Sequence, residues 1–197
     1  MRSGREYATA RTTAISDGVF AVALTLLILD VKIPDGDVRE LGHALHATLY
    51  PMLICVLSFA IVAYYWVVHH LIFDSMRAVK LPLVWVNLAF LLTVVVLPFS
   101  TAVLGRYPLA PDALMIYGLN LTACTTVLAA TWYVAQRSGL TEALEADQKR
   151  YILWRFASQP AASLVGVALA SVVPAVSLVI FALTPIFYAL TYRRSYY

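Results

Sequence analysis

The chain has 197 residues, 61% of them hydrophobic and 13% charged, with a formal net charge of +3. A mean hydropathy of +0.79 is too high for a surface that meets water on all sides, which excludes a soluble globular domain and a disordered chain. The basic residues are scattered along loop ends and form no patch, so the charge is a topology signal rather than a nucleic-acid signal. The class that remains is an all-α integral membrane protein, read here as a single domain over residues 1–197.

A helix needs about 20 apolar residues to cross the hydrocarbon layer. Six stretches are candidates: Thr13–Ile33, Thr48–Phe73, Leu83–Leu104, Ala113–Gln136, Leu153–Val173 and Val176–Tyr192. The first is expected to stay in the mature chain, because its apolar run is long and Asp17 interrupts it. Basic residues fall mostly at the amino terminus, in alternate loops and at the carboxyl terminus. Lys32, Arg39 and Arg106 fall on the other side. By the positive-inside rule both termini are cytoplasmic.

The first span, Arg11–Leu29, carries an arginine and an aspartate at the mouth of its apolar run. Ionisable groups at such a place are costly unless paired or wetted, which makes them a functional-site hypothesis. At 100° per residue, Arg11, Ile15, Gly18, Val22, Thr25 and Leu29 form one stripe, with Asp17 and Ser16 to either side of it. An ordinary packed seam has the same spacing; the charged pair favours the functional reading.

After it, Pro34–His46 reads as a polar, acidic loop with a turn at Asp35-Gly36. The second span holds His69-His70 near its cytoplasmic end, and the third begins with Trp85 and Asn87 and is interrupted by Pro98. Asn120-Leu121-Thr122 matches a glycosylation sequon but sits mid-span, where no glycan is attached. Cys55 and Cys124 lie inside spans and read as small buried side chains. The connection Arg137–Arg150 is rich in helix formers and reads as a polar helical extension. In the fifth span Ala162, Gly166 and Ala170 recur at every fourth residue, a pattern that permits close helix approach.

Ser16, Asp17, His69 and Trp85 share one depth near the cytoplasmic side, so they can form an interhelical hydrogen-bond cluster; Arg11 and Asn87 are counted with it. Asp17 could instead carry protons, with His69 or His70 titrating.

The stretch Arg11-Thr-Thr-Ala-Ile15-Ser16-Asp17 resembles the Arg-x-x-x-Phe-Ser-Asp signature of the transmembrane protein 175 family of potassium channels. Gly18-Val19-Phe20-Ala21-Val22-Ala23 continues as its bacterial members do. Trp66-Val67-Val68-His69 is similar to the family's Trp-x-x-His stretch, and Trp85-Val86-Asn87-Leu88 with Leu97-Pro98-Phe99-Ser100-Thr101 resembles its third helix. One departure is plain: Ile15 stands where the signature has phenylalanine.

The resemblance implies six helices per chain in a prokaryotic plasma membrane, and a homotetramer whose four first helices line a central pore. It places Val22 at the narrowest ring, Thr25 one turn deeper and Leu29 beyond. Gly18 lies before them on the same stripe. It also implies that the polar cluster holds the pore helix, that potassium is the permeant ion and that no cofactor or fixed metal is needed. Nothing in the chain resembles the Thr-Val-Gly-Tyr-Gly filter of ordinary potassium channels.

Two other classes compete with a potassium channel. An enzyme lacks support, since no phosphate loop, nucleophile elbow or cysteine cluster is present, and His43 and His46 are expected across the membrane from His69-His70. A proton-conducting pore or secondary transporter is the alternative within transport, although no internal repeat accompanies Pro98 and Pro160.

Overall fold

The computed structural model describes residues 3–35, 37–141 and 146–192. Helix α1 covers Ser3–Leu26 and tightens into a 3-10 turn at Leu27–Asp30. α2 covers Leu41–Asp74, α3 Leu81–Arg106, α4 Pro111–Arg137, α5 Ala146–Leu169 and α6 Pro174–Tyr192. Five of these helices carry apolar stretches long enough to cross a membrane. In α6 the apolar stretch among the described residues is Pro174–Thr184, shorter than the expected span. The whole of α6 has 19 residues, and at 1.5 Å per residue that rises roughly 28 Å, close to the hydrocarbon thickness.

Helix ends follow local chemistry. Prolines occupy the first turns of α3 and α4, where a missing N–H leaves no bond unmade, and Asp112 adds negative charge at the α4 amino end. α4 stops at Arg137 because Gly139 takes a left-handed φ of 63°; Leu140 N then donates to Ala135 O at 3.0 Å and Gly139 N to Gln136 O at 3.1 Å, a Schellman closure. α2 begins earlier than the expected Thr48. Asp37 accepts a hydrogen bond from Arg39 N at 3.1 Å, and the turn Val38–Glu40 leads straight into helix. The expected Asp35-Gly36 turn includes Gly36, which lies outside the described residues.

The expected helical extension over Arg137–Arg150 is met on the α5 side, where the helix begins at Ala146, and is interrupted after α4 by that closure; residues 142–145 lie outside the described residues. Thr141 forms an antiparallel bridge with Met76, and Arg77 N donates to Leu140 O at 2.8 Å, so the α2–α3 and α4–α5 connections are tied together.

α3 and α4 pack against each other along the bundle centre, α5 packs on α4 and α6, and α1 packs chiefly on α2 and α3. Val62, Phe90, Val94, Leu97, Leu114 and Cys124 are fully buried at the heart of it. Cys55 and Cys124 are free and buried. Phe181 of α6 fills a slot edged by two glycines: a Cβ on Gly118 would lie 2.6 Å from its Cζ, and one on Gly166 2.5 Å from its Cε1. The small residue at position 166 therefore admits a ring rather than a neighbouring backbone. Asn120 bridges α4 to α3, donating to Thr93 O at 3.0 Å and accepting from Ser100 Oγ at 3.0 Å.

Candidate functional site

α1 is divided along its length. Ser16, Phe20, Ala23 and Leu27, spaced four, three and four, are all buried at 2% exposure or less against the rest of the bundle. Ile15, Gly18, Val22, Thr25 and Leu29 are uncovered, with Ile15 and Val22 each 57% exposed. A Cβ built on Gly18 meets nothing within 4 Å. The two stripes follow from helix geometry, because residues two apart are separated by about 200°. Leu29 departs from the expected register. It lies in the 3-10 turn, where three residues rather than 3.6 complete a turn, and this rotates it roughly 60° from the continuous α-helical stripe although it remains exposed.

Thr25 Oγ1 approaches Val22 O at 2.9 Å and Ala21 O at 3.1 Å. One hydroxyl proton is thereby committed to the helix backbone. The oxygen's lone pairs stay available on the uncovered side.

The buried stripe is held by a directional chain of polar groups. Asn87 Nδ2 donates to Ser16 Oγ at 3.0 Å, and Ser16 Oγ donates to Thr12 O at 2.9 Å. With its amide nitrogen so used, Asn87 presents Oδ1 to His69 Nε2 at 2.8 Å, so the imidazole carries its proton on Nε2. Ser16, His69 and Asn87 are all buried, at 0%, 2% and 1% exposure. Three rings surround the imidazole: Phe73 at 4.4 Å and Phe90 at 5.6 Å stack on it, and Phe20 of α1 tilts against it at 5.7 Å. Hydrogen bonding and ring packing thus meet at one point on α1.

Asp17 stands apart from this chain. Its carboxylate accepts from the Trp66 indole at 2.9 Å on the exposed side, and Trp66 stacks on His70 at 5.7 Å. Arg11 is exposed, and Trp85 is 65% exposed; among the described residues neither hydrogen-bonds to the cluster. The reason for Trp85 is geometric. It sits two residues from Asn87, so an inward Asn87 turns Trp85 to the outside of α3. Trp66 supplies the indole contact instead, and Phe20, Phe73 and Phe90 join the site without having been singled out for it. The 4-3-4 spacing of Ser16, Phe20, Ala23 and Leu27 is the signal in the sequence for Phe20, while Phe73 stands four residues after His69 and Phe90 three after Asn87, on the same faces of their helices. No group of three His, Cys, Asp or Glu side chains is placed to hold a metal among the described residues.

The sequence profile of a family described as "Endosomal/lysosomal potassium channel TMEM175" matches residues 11–98, a stretch somewhat under half of the chain that contains α1 from Arg11, all of α2 and most of α3. A potassium channel of Streptomyces collinus is 38% identical over 137 residues, covering 66% of either chain. A potassium channel of Chamaesiphon minutus is 33% identical over 146 residues, covering 71% of this chain and 72% of that one. The chain belongs to the TMEM175 family. The crystal structure of a lysosomal potassium-selective channel TMEM175 homolog from Chamaesiphon minutus superposes with a TM-score of 0.81 at 29% identity, covering 94% of this chain and 98% of that one. The MtTMEM175 potassium channel shares the fold at 16% identity, with a TM-score of 0.66. The structural likeness thus extends the TMEM175 relationship through α4, α5 and α6, beyond the stretch in which the motifs stand.

Proposed function

We propose that four copies of this chain surround a central pore lined by α1, and that potassium ions pass along its uncovered stripe with Val22 at the narrowest ring. As a TMEM175-family member the protein is a multi-pass membrane protein and a potassium channel, not an enzyme. The observation that carries the finer reading is the division of α1 into a stripe anchored in its own protomer and a stripe that nothing in the protomer covers.

A ring of valines offers no oxygen to replace an ion's hydration shell. An ion must pass partly hydrated or shed water at a cost, and that cost is smaller for potassium than for sodium, whose water is held more tightly. Four Thr25 hydroxyls one turn deeper, their protons turned to the helix backbone, return part of the lost coordination. Selectivity from such a filter is modest beside a carbonyl cage, and narrowing of the apolar ring closes it by dewetting. The Ser16–Asn87–His69 chain behind the ring fixes α1 in rotation and depth. Both termini face the cytoplasm across a prokaryotic plasma membrane.

The test is ion flux in liposomes containing the purified protein, under separate potassium, sodium and proton gradients. Potassium flux exceeding sodium flux without any added cofactor supports the reading. Flux of protons alone would replace it with the proton-pore alternative.

A further inference from the structure

We infer that a single water molecule is bound inside each protomer, between α2, α4, α5 and α6, held by Ser163 and Gln159 of α5 together with the Tyr65 hydroxyl. The site lies away from α1, which packs chiefly on α2 and α3, so the inference does not rest on the proposed pore. A cavity there leaves about 10 Å³ for the centre of a water-sized occupant and is lined by Tyr64, Tyr65, Gln159, Ser163, Phe181 and Thr184 among others. Roughly 10–15 Å³ of such space admits one water, provided two to four polar partners surround it.

The partners are present and under-used. Ser163 is 2% exposed and, among the described residues, makes no hydrogen bond. Gln159 is 6% exposed, and its amide reaches Tyr65 OH at a long 3.4 Å. Tyr65 OH in turn contacts Leu121 O at 3.1 Å and Thr125 Oγ1 at 2.9 Å, which fixes its position. The Ser163 hydroxyl lines this space, and a water that bridges Ser163 to Gln159 and Tyr65 supplies it with the hydrogen bonds that its own helix does not. A cation is disfavoured in the same space. The Arg155 guanidinium donates to the Tyr64 hydroxyl on the cavity wall at 3.2 Å and brings positive charge to it.

The experiment is a high-resolution crystal structure of the full-length channel grown in rubidium salt, paired with the same structure of Ser163→Ala. The expected result is a spherical peak without anomalous signal within hydrogen-bond distance of Ser163 Oγ, lost or strongly weakened in Ser163→Ala while the Tyr65–Thr125 contact stays in place. An anomalous peak would reassign the site to a cation. An empty cavity in the unaltered protein, or Ser163 Oγ turned back onto a helix carbonyl, would overturn the inference even if the variant cannot be produced.

Discussion

Phe20 and Val22 stand two residues apart on α1 in opposite surroundings: the Phe20 ring is 1% exposed and lies 5.7 Å from the His69 imidazole, while Val22 is 57% exposed. A rotation of α1 that exposed one would bury the other. Whatever fixes the helix against α2 and α3 therefore also determines which side chains a partner copy or an ion meets.

Asn87 is the residue on which that fixation converges, since its amide joins His69 of α2 to Ser16 of α1. Asn87→Leu strands the buried His69 Nε2–H, at a cost of about 1–3 kcal/mol, and removes the donor to Ser16 Oγ, which keeps its bond to Thr12 O. The expected outcome is a lower unfolding temperature and a smaller tetramer fraction in size-exclusion chromatography. Asp17→Asn should do less harm, because an amide oxygen still accepts from the Trp66 indole. A larger loss for Asp17→Asn than for Asn87→Leu would contradict this ordering.

His69→Gln separates anchoring from permeation. Glutamine can still donate to Asn87 Oδ1 but cannot stack on Phe73 and Phe90, so stability should fall by about 1–3 kcal/mol through lost ring contacts and packing. Potassium flux per assembled channel should persist. Loss of proton flux alone, with potassium flux intact, would support a proton path through His69.

Gly166→Ala tests the slot that α4 and α5 offer to Phe181 of α6. A methyl there would lie 2.5 Å from Phe181 Cε1, so the ring must move within a packed core, costing about 1–3 kcal/mol. Pairing Gly166→Ala with Phe181→Leu should recover part of the lost thermal stability. Strict additivity of the two changes in unfolding measurements would show that the ring and the glycine do not press on each other.

Parts of this arrangement were legible in the sequence. That Ile15, Gly18, Val22 and Thr25 share one stripe follows from 3.6-residue periodicity, although periodicity does not say whether that stripe is covered, and the common depth of Ser16 and His69 follows from counting along apolar runs. Which neighbours face each other was not. Depth does not specify rotation, so Trp85 was expected where the inward position belongs to Asn87, two residues further along α3. Leu29 was expected in register because periodicity presumes a uniform helix, whereas α1 tightens at Leu27. The start of α2 was placed too late for a different reason: apolar counting locates the hydrocarbon-spanning part of a helix, not the polar turn at Asp37–Glu40 from which it grows. The slot around Phe181 depends on three helices at once, and single-sequence spacing carries no such information.

The central claim is that ions pass along the Val22 side of α1, and single-channel recording of Val22→Ala beside Leu27→Ala tests it most directly. Leu27 is 2% exposed on the anchored side, so Leu27→Ala should cost stability, on the order of 2–5 kcal/mol, and leave conductance unchanged. Val22→Ala widens the ring. It should raise conductance and lower the potassium-to-sodium permeability ratio, and Val22→Phe should block. Unchanged conductance and unchanged selectivity in Val22→Ala, in channels that assemble normally, would contradict the account.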